Sequence, residues 1–281
     1  MARRLLAAGH RLRGFDPDAT RMSEFEEAGG EIAGSPSEAV EGCWSALLSL
    51  PNSEISRQVC LGENGIVTSS VRPLLVLDAT TGRPEDAVAN AAGLALVGIA
   101  YADTTVSGNA PVAAAGELVV MVGGSKDAYA RARPILEAIG RSHHHVGPVG
   151  AGARTKLIVN HVLSIHRMAL SEGLVVAELA GLDLRPTLAV LADSLAYSKA
   201  MDIWGERIIA GDHDPPSARL RQSHKDARLI LDHGDALGAS LDLMRVVEAA
   251  LAEGVNHGLA DLDNSSVAEV VRRRAGIGRI P

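Results

Sequence analysis

The chain has 281 residues, 47% of them hydrophobic, and a formal net charge of −7. This length suits one large domain or two of medium size. The negative charge argues against broad affinity for nucleic acid, which needs a basic surface. No apolar run approaches the roughly 18 residues of a membrane span, and the first ten residues lack the apolar core of a signal peptide. Two cysteines, Cys43 and Cys60, are too few for a disulfide framework and favour a reducing cytoplasm.

Lysine is scarce in this sequence, whereas arginine is common. Of the 27 Lys and Arg residues, only four are lysines: Lys126, Lys156, Lys199 and Lys225. Arginine evidently serves wherever a plain positive charge suffices. Each lysine is therefore a candidate for a role that needs its compact, titratable amine.

The first half of the chain alternates helical and strand patterns, which predicts βαβ units and a mainly parallel sheet. Residues 1–8 have a helical pattern that Gly9 ends. Residues 35–38, Ser-Pro-Ser-Glu, have the capping box and N1 proline of a helix start. Five strands are predicted from apolar runs bounded by turn residues or acids. They span residues 11–16, 45–50, 73–77, 95–100 and 117–122, and a small-residue loop is expected after the fourth.

The pattern changes after Gly152. Residues 153–180 contain no proline and one glycine, and their apolar residues recur mostly at three- and four-residue spacing. This predicts one helix of about 27 residues, roughly 40 Å long, followed by further helices. We therefore expect an α/β domain over residues 1–151, joined by the long helix to an all-α domain over residues 152–281.

Several segments in consistent order carry a resemblance to a known family. The segment Asp103-Thr-Thr-Val-Ser-Gly-Asn109 is similar to the substrate motif D-A-P-V-S-G-G of β-hydroxyacid dehydrogenases of the 3-hydroxyisobutyrate type. The segment Gly152-Ala-Arg-Thr-Lys156-Leu-Ile-Val-Asn160 resembles their catalytic stretch G-x-x-x-K-x-x-x-N. Shorter matches in the same order are Leu50-Pro51, Asp78-Ala-Thr-Thr81-Gly-Arg-Pro84, Lys225-Asp226 and Gly258-Leu-Ala-Asp261-Leu-Asp263. The resemblance implies a Rossmann-like N-terminal domain and a helical domain that binds substrate and forms dimers.

The resemblance also implies catalytic roles. A dehydrogenase of this family needs a base for the substrate hydroxyl, and Lys156 stands at that position. Asn160 lies one helical turn further, on the same face, where it would orient the hydroxyl or the lysine. Ser107 and Gly108 would hold the substrate carboxylate through a hydroxyl and backbone N–H groups. The plain alternatives are a surface lysine at Lys156 and a simple turn at Ser107-Gly108.

The cofactor side follows from the same resemblance. Leu50-Pro51 and Thr81 would line the cofactor side, and Lys225 would close over the nicotinamide. Thr81 could instead form a side-chain turn. Asp16 ends the strand whose acid binds the adenosine ribose and repels a 2′-phosphate, which favours NAD. Arg13 and Arg21 lie near in sequence and leave NADP open, and an N-cap role for Asp16 is compatible with either cofactor.

A metal site is not expected. Residues 143–145 are three consecutive histidines on a predicted turn, and no acidic or cysteine partner flanks them. Three adjacent side chains on a turn cannot all face one ion.

The sequence departs from the family at its start. The family opens with a strand and a G-x-G-x-x-G turn, whereas this chain begins at the methionine of the following helix. The absent strand would lie in the middle of the sheet, so we expect two unpaired strand edges and a gap in the core. Either the natural start lies upstream and Met1 is internal, or the chain is a degenerate, non-catalytic relic. The retained catalytic residues favour an upstream start.

Smaller departures concern the substrate. Thr104-Thr105 replaces Ala-Pro, and Asn109 replaces a glycine beside the expected carboxylate, which indicates a substrate more polar than 3-hydroxyisobutyrate. The predicted function is oxidoreduction of a small β-hydroxyacid with NAD by a cytoplasmic homodimer or homotetramer. The alternatives are a glyoxylate or tartronate-semialdehyde reductase, and a non-catalytic binding or dimer module.

Overall fold

The computed structural model describes residues 1–278, and the chain divides into two compact units, Met1–Lys156 and Leu157–Pro281. The strands are β1 Arg13–Gly14, β2 Glu31–Ile32, β3 Ser45–Leu48, β4 Leu75–Asp78, β5 Ala100–Ser107, β6 Leu118–Gly123 and β7 Gly140–Gly147. The helices of the first unit are α1 Ala2–Ala7, α2 Ala19–Glu27, α3 Pro36–Ala39, α4 Ser53–Leu61, α5 Pro84–Ala95, α6 Ala110–Ala115 and α7 Lys126–Ile139. Helix α8, Ala151–Leu179, begins in the first unit and continues into the second.

The second unit is helical, as expected. Its helices after α8 are α9 Leu184–Asp193, α10 Lys199–Ala210, α11 Leu220–Ala236, α12 Asp242–Gly254 and α13 Val267–Arg274. The predicted long helix is confirmed as α8, with 29 residues. Side chains of α8, α11, α12 and α13 form the largest buried apolar cluster of this unit. Among the described residues, none of the helices is long and apolar enough to cross a membrane.

The main sheet of the first unit has the order β3-β4-β5-β6-β7. All its pairings are parallel except β5 with β6, which is antiparallel. All four residues of β4 are buried, as is typical of a strand covered on both faces. Leu75 and Leu77 pack with α7 on one face, and Val76 packs in a second apolar cluster on the other.

Strands β1 and β2 form a separate two-stranded parallel sheet, and a gap lies between it and β3. The carbonyls of Leu12 and Gly14 accept hydrogen bonds from the β2 segment, and those of Trp44 and Leu48 accept from the β4 segment. Because backbone groups of alternate residues point to opposite sides, the groups of Arg13 and of Ser45 and Leu47 face the gap. A cavity of about 1230 Å³ lies there, lined by β1 and β3. The gap expected from the sequence is present.

Three predictions on secondary structure are wrong. Residues 95–100 were expected to form a strand, but helix α5 extends to Ala95, the chain turns at Gly98 with φ +79°, and β5 begins at Ala100. The polar segment from Asp103 to Ser107, expected as a loop, belongs to β5, where Asp103 and Thr105 find buried hydrogen-bond partners. The three histidines lie in β7, paired with β6, and not on a turn.

Candidate active site

The junction between β5 and α8 is built around a buried carboxylate. Asp103 accepts hydrogen bonds from the backbone N–H groups of Gly150, at 2.8 Å, and Ala153, at 2.7 Å. Thr105 Oγ1 donates to the carbonyl of Gly152 at 2.8 Å. A side chain at Gly152 would place its Cβ 2.6 Å from the Asp103 carbonyl oxygen, so only glycine fits. These contacts hold the first turn of α8, and Lys156 lies three residues beyond Ala153.

Burial has an electrostatic consequence for Asp103. Removal from water raises the pKa of its carboxyl from 3.8 to about 6, although the N–H groups of Gly150 and Ala153 oppose this rise. The nearby carboxylate of Asp78 raises the pKa further. The anchor of the α8 start is therefore a titratable group.

Ser107, Gly108 and Asn109 follow one another at the end of β5. Gly108 has φ +136°, and an added Cβ would lie 2.7 Å from Val112 Cγ1, so this turn requires glycine. Asn109 is the N-cap of α6, and its Oδ1 accepts a hydrogen bond from the N–H of Val112 at 3.2 Å. This capping contact was not predicted from the sequence.

The loops after β3 and β4 brace each other. The N–H of Leu50 donates to Thr80 Oγ1 at 3.2 Å, and the N–H of Arg83 donates to Ser53 Oγ at 2.9 Å. A Cβ at Gly82 would lie 2.0 Å from Ser53 Oγ, which explains the glycine in this loop. Thr80, which was not predicted as a site residue, therefore carries the bond between the loops that contain Leu50-Pro51 and Thr81.

A buried network beneath these loops centres on Asp78. Its carboxylate accepts from the N–H of Thr80 at 2.9 Å, from the Tyr101 hydroxyl at 3.0 Å, and from the Ser56 hydroxyl. Asn90 Nδ2 donates to Ser56 Oγ at 3.1 Å. Burial, followed by the Asp78 charge, raises the pKa of Tyr101 well above its ordinary value. The network holds the end of β4 in one position.

Asp16 lies just beyond β1, with its side chain about one-third exposed. Its carboxylate accepts from the N–H of Asp18 at 2.9 Å and lies 3.6 Å from Arg21. Asp18 provides the N-cap of α2. Arg13 is directed elsewhere, to Glu31 and to the carbonyl of Glu41, each at 2.9 Å. Of the two arginines near in sequence, Arg21 is therefore the one beside Asp16.

The second unit contains the other predicted residues. Asn160 Nδ2 donates to Asp226 Oδ2 at 3.0 Å, and Lys225 Nζ lies 3.2 Å from Asp226 Oδ1. Asp226 thus connects two predicted residues, although the sequence analysis assigned it no role of its own. Lys156 and Asn160 are both half-buried, four residues apart on α8.

Two of the three histidines of β7, His143 and His145, contact other residues of the protein. Tyr129 Oη lies 2.7 Å from His143 Nδ1, His145 Nε2 lies 2.8 Å from the Gly124 carbonyl, and the rings of Tyr129 and His145 stack at 5.0 Å. Across residues 1–278, no group of three or more His, Cys, Asp or Glu side chains is arranged to hold a metal ion.

Comparison with protein families gives two matches that together cover most of the chain. Residues 1–147 match the NAD-binding domain of 6-phosphogluconate dehydrogenase. Residues 150–271 match the NAD-binding domain of NADP-dependent 3-hydroxyisobutyrate dehydrogenase.

Individual proteins are similar over nearly the whole chain. A 3-sulfolactaldehyde reductase of Escherichia coli K12 is 30% identical, over 99% of this chain and 93% of its own length. A 3-hydroxyisobutyrate dehydrogenase of Pseudomonas aeruginosa is 31% identical, over 97% and 94% respectively. The solved structure of Mycobacterium tuberculosis 3-hydroxyisobutyrate dehydrogenase with L-serine is 29% identical, with a TM-score of 0.86 over 96% of this chain and 94% of that one.

Proposed function

The chain belongs to the β-hydroxyacid dehydrogenase family, whose members are NAD(P)-dependent oxidoreductases, and we propose that it acts on a small, polar β-hydroxyacid with Lys156 as the general acid and base. The main support for the proposal is the junction at Asp103, where hydrogen bonds hold the helix turn that bears Lys156. A base must be held in place to remove a hydroxyl proton during reaction. Asn160, one turn further along α8, is its partner.

Ser107 and Gly108 form the proposed carboxylate-binding turn, and Asn109 is the proposed third substrate contact. The left-handed backbone of Gly108 leaves no room for a side chain, so main-chain atoms are the groups it offers to a ligand. The cap formed by Asn109 Oδ1 fixes that side chain at the start of α6. The Asn109 amide, held in this position, is compatible with a substrate that carries a second polar group.

The residues present fit part of a nicotinamide dinucleotide. Asp16, at the carboxyl end of β1, is partly exposed and suits a ribose hydroxyl pair, whereas Arg21 beside it could accept a 2′-phosphate. We therefore propose NAD as the preferred cofactor, with NADP accepted less well. The braced loops containing Leu50, Pro51 and Thr81 would hold the nicotinamide side, and Lys225 is proposed as a further contact. When bound, the cofactor supplies the hydride acceptor.

The pyrophosphate is the part that the described residues do not accommodate. The sequence contains no G-x-G-x-x-G segment. The carboxyl ends of β1 and β3 line the open gap between these two strands. A second candidate function is a non-catalytic binding or dimer module. The name of the Escherichia coli relative favours a third, an aldehyde reductase of the glyoxylate or tartronate-semialdehyde type.

Cofactor binding separates the enzyme from the non-catalytic module. Trp44 lines the gap and is 45% exposed, whereas Trp204 is buried. In a Trp204→Phe background, the fluorescence of Trp44 therefore reports on the gap alone. We expect NADH to change this fluorescence in a chain extended by a strand and a G-x-G-x-x-G turn before Met1. If NADH has no effect on either the extended or the 281-residue chain, the enzyme proposal fails.

Turnover tests the base. In whichever form binds NADH, Lys156→Ala should lower kcat by about 10²- to 10⁴-fold, the usual contribution of a positioned acid or base. Lys126→Ala is the matched control, because Lys126 lies at the start of α7 and should leave kcat unchanged. Equal rates for Lys156→Ala and the parent would refute the role of Lys156. Rates measured in both directions distinguish a dehydrogenase from a reductase.

We also propose a cytoplasmic homo-oligomer formed through the helical unit. Large apolar side chains of that unit are exposed, which is typical of an interface. They include Val176, Leu179, Leu182, Val190 and Leu195. Both cysteines are free, as expected in a reducing compartment. Light scattering should give a dimer or tetramer mass, and Val190→Glu with Leu195→Glu should reduce it. A monomer mass for the unmodified chain would contradict this assembly.

A further inference from the structure

The helical unit contains two buried arginines whose surroundings differ. Arg272 is fully buried, and each of its guanidinium nitrogens has an acceptor: Glu178 at 2.8 Å, the Ile208 carbonyl at 2.9 Å, and Glu269 at 2.5 Å. Arg167 is 3% exposed, yet its Nε and Nη2 have no hydrogen-bond partner among the described residues. Arg272 thus links several parts of the helical unit through its hydrogen bonds. The burial of Arg167 needs another explanation.

Arg167 lies against an aromatic ring and near two carboxylates. Its guanidinium stacks 4.9 Å from the centre of the Trp204 ring. Burial lowers the pKa of Arg167 to about 10, and the charges of Asp263 and Asp226 oppose that change. Asp263 already accepts from Ser217 and Ser265 and lies 3.3 Å from Arg207. Of the two acids, Asp226 is therefore the one with fewer partners.

Helix geometry connects Arg167 to Asn160. The two residues are seven positions apart on α8, which is close to two full turns, so they share one face about 10 Å apart. Side chains of a helix lean toward its N-terminus, which directs Arg167 back toward the turn of Asn160. Asn160 in turn donates its Nδ2 to Asp226 Oδ2 at 3.0 Å. Arg167, Asp226 and Asn160 thus form one polar cluster.

We propose that Arg167 is a positioning residue that sets the orientation of the Asn160 amide through Asp226. A carboxylate only accepts hydrogen bonds, so Asn160 must turn its Nδ2 to Asp226 and leave its Oδ1 as an acceptor. The buried positive charge of Arg167 lies near Asp226 and attracts its negative charge without competing for the oxygen that Asn160 uses. Lys225 contributes a second positive charge from α11. The amide oxygen of Asn160 is then presented to a hydroxyl or ammonium proton.

The inference rests on the proposed function only for the use of Asn160, so its first test needs no turnover. The side-chain amide signals of Asn160 are assigned in the NMR spectrum of the ¹⁵N-labelled chain by their loss in Asn160→Asp. Arg167→Met keeps most of the side-chain length and removes the charge, and Arg167→Lys keeps the charge. We expect Arg167→Met to shift or broaden the Asn160 amide signals and Arg167→Lys to leave them near their original positions.

A structural role for Arg167 would give a different result. If its nitrogens merely bind buried water, Arg167→Met would lower the urea midpoint but leave the Asn160 signals in place, and the proposal would be overturned. If Arg167→Met does not fold, Arg167→Gln, which also removes the charge, is combined with Asp226→Asn. The proposal then requires Asp226→Asn to shift the urea midpoint differently in the parent and in Arg167→Gln, and equal shifts would refute it. In a form of the protein that turns over substrate, we expect Arg167→Met to lower kcat without changing the KM for NADH. Arg167→Lys should partly restore kcat.

Discussion

Strands β4 and β2 lie in the same compact unit, yet every residue of β4 is buried and both residues of β2 are exposed. The five-stranded sheet that contains β4 is covered on both faces. Asp78 ends β4, Ser107 ends β5, and Asp103 lies within β5. The two-stranded sheet of β1 and β2 faces the open cavity. Arg13 of β1 bonds to Glu31 of β2 within the sheet and to the Glu41 carbonyl outside it. The five-stranded sheet is therefore buried and held by several hydrogen bonds, whereas the two-stranded sheet lies beside the open cavity.

The largest expected difference between the sheets is in core packing. Leu77→Ala removes a fully buried side chain of β4 and should lower the free energy of unfolding by about 2–5 kcal/mol. Ile32→Ala in β2, where the side chain is 42% exposed, should cost no more than about 0.5 kcal/mol. Urea unfolding of both variants measures this. Similar losses would contradict the contrast between the sheets.

The second prediction concerns the pH dependence of stability. The pKa of Asp103 is about 6 in the folded protein, above the ordinary 3.8, so its stabilising contribution is present below about pH 4 and is lost as the pH rises through 6. The loss amounts to about 3 kcal/mol, from roughly two pKa units. Asp103→Asn cannot titrate, so the stability of the parent relative to this variant should fall between pH 4 and pH 7.

A matched control for Asp103 is Glu117→Gln, since Glu117 is an exposed carboxylate directly before β6. Its stability relative to the parent should show no comparable change over that pH range. Urea unfolding at pH 4, 5, 6 and 7 provides the data. If the difference in stability between the parent and Asp103→Asn does not change with pH, burial does not control the pKa of this carboxyl.

The third prediction concerns the brace between the loops. Thr80→Val removes the hydroxyl that accepts from the Leu50 N–H, leaving a partly buried donor unsatisfied at a cost of about 1–3 kcal/mol. Thr80→Ser keeps the hydroxyl and should retain most of the stability. Amide hydrogen exchange at Leu50 should become faster in Thr80→Val only. Unchanged exchange at Leu50 would mean that the loops are held by other contacts.

The smallest expected effect lies in α2, beside the two-stranded sheet. Asp18→Ala removes the N-cap of α2, which should cost about 1 kcal/mol, whereas Asp18→Asn keeps an acceptor and should cost less. Because the two-stranded sheet packs loosely, increased exchange should be confined to α2 and β2. Spreading of that exchange into β4 would indicate that the two sheets unfold as one unit.

The sequence correctly predicted those features whose stabilising contacts lie close together along the chain. The cap at Ser35, with the proline after it, lies where α3 begins, and Gly9 follows α1 with φ +86°. The uninterrupted pattern of residues 153–180 predicted α8 almost to its ends. In each case the stabilising contacts lie within one or two helical turns, so the sequence displays both partners together.

Strand β5 shows why part of the site was missed. Asp103, Thr104 and Thr105 are polar and were expected in a loop, but all three are buried. Asp103 and Thr105 find partners in residues 150–153, nearly fifty positions later. Likewise, the bond between Leu50 and Thr80 and the network around Asp78 join residues about 20 to 35 positions apart. Sequence periodicity carries no information on such pairs.

By itself, the sequence determined the α/β and helical halves, the long helix between them, the family, and the open position in the sheet, because these depend on periodicity, caps and motifs along the chain. Only the tertiary structure decided that Asp103 anchors the start of α8, that Thr80 joins the loops, and that Arg167 is buried against Trp204. The physical reason is that burial creates these roles. A polar group removed from water must find its partner in space, and the chain order does not reveal which residue that will be.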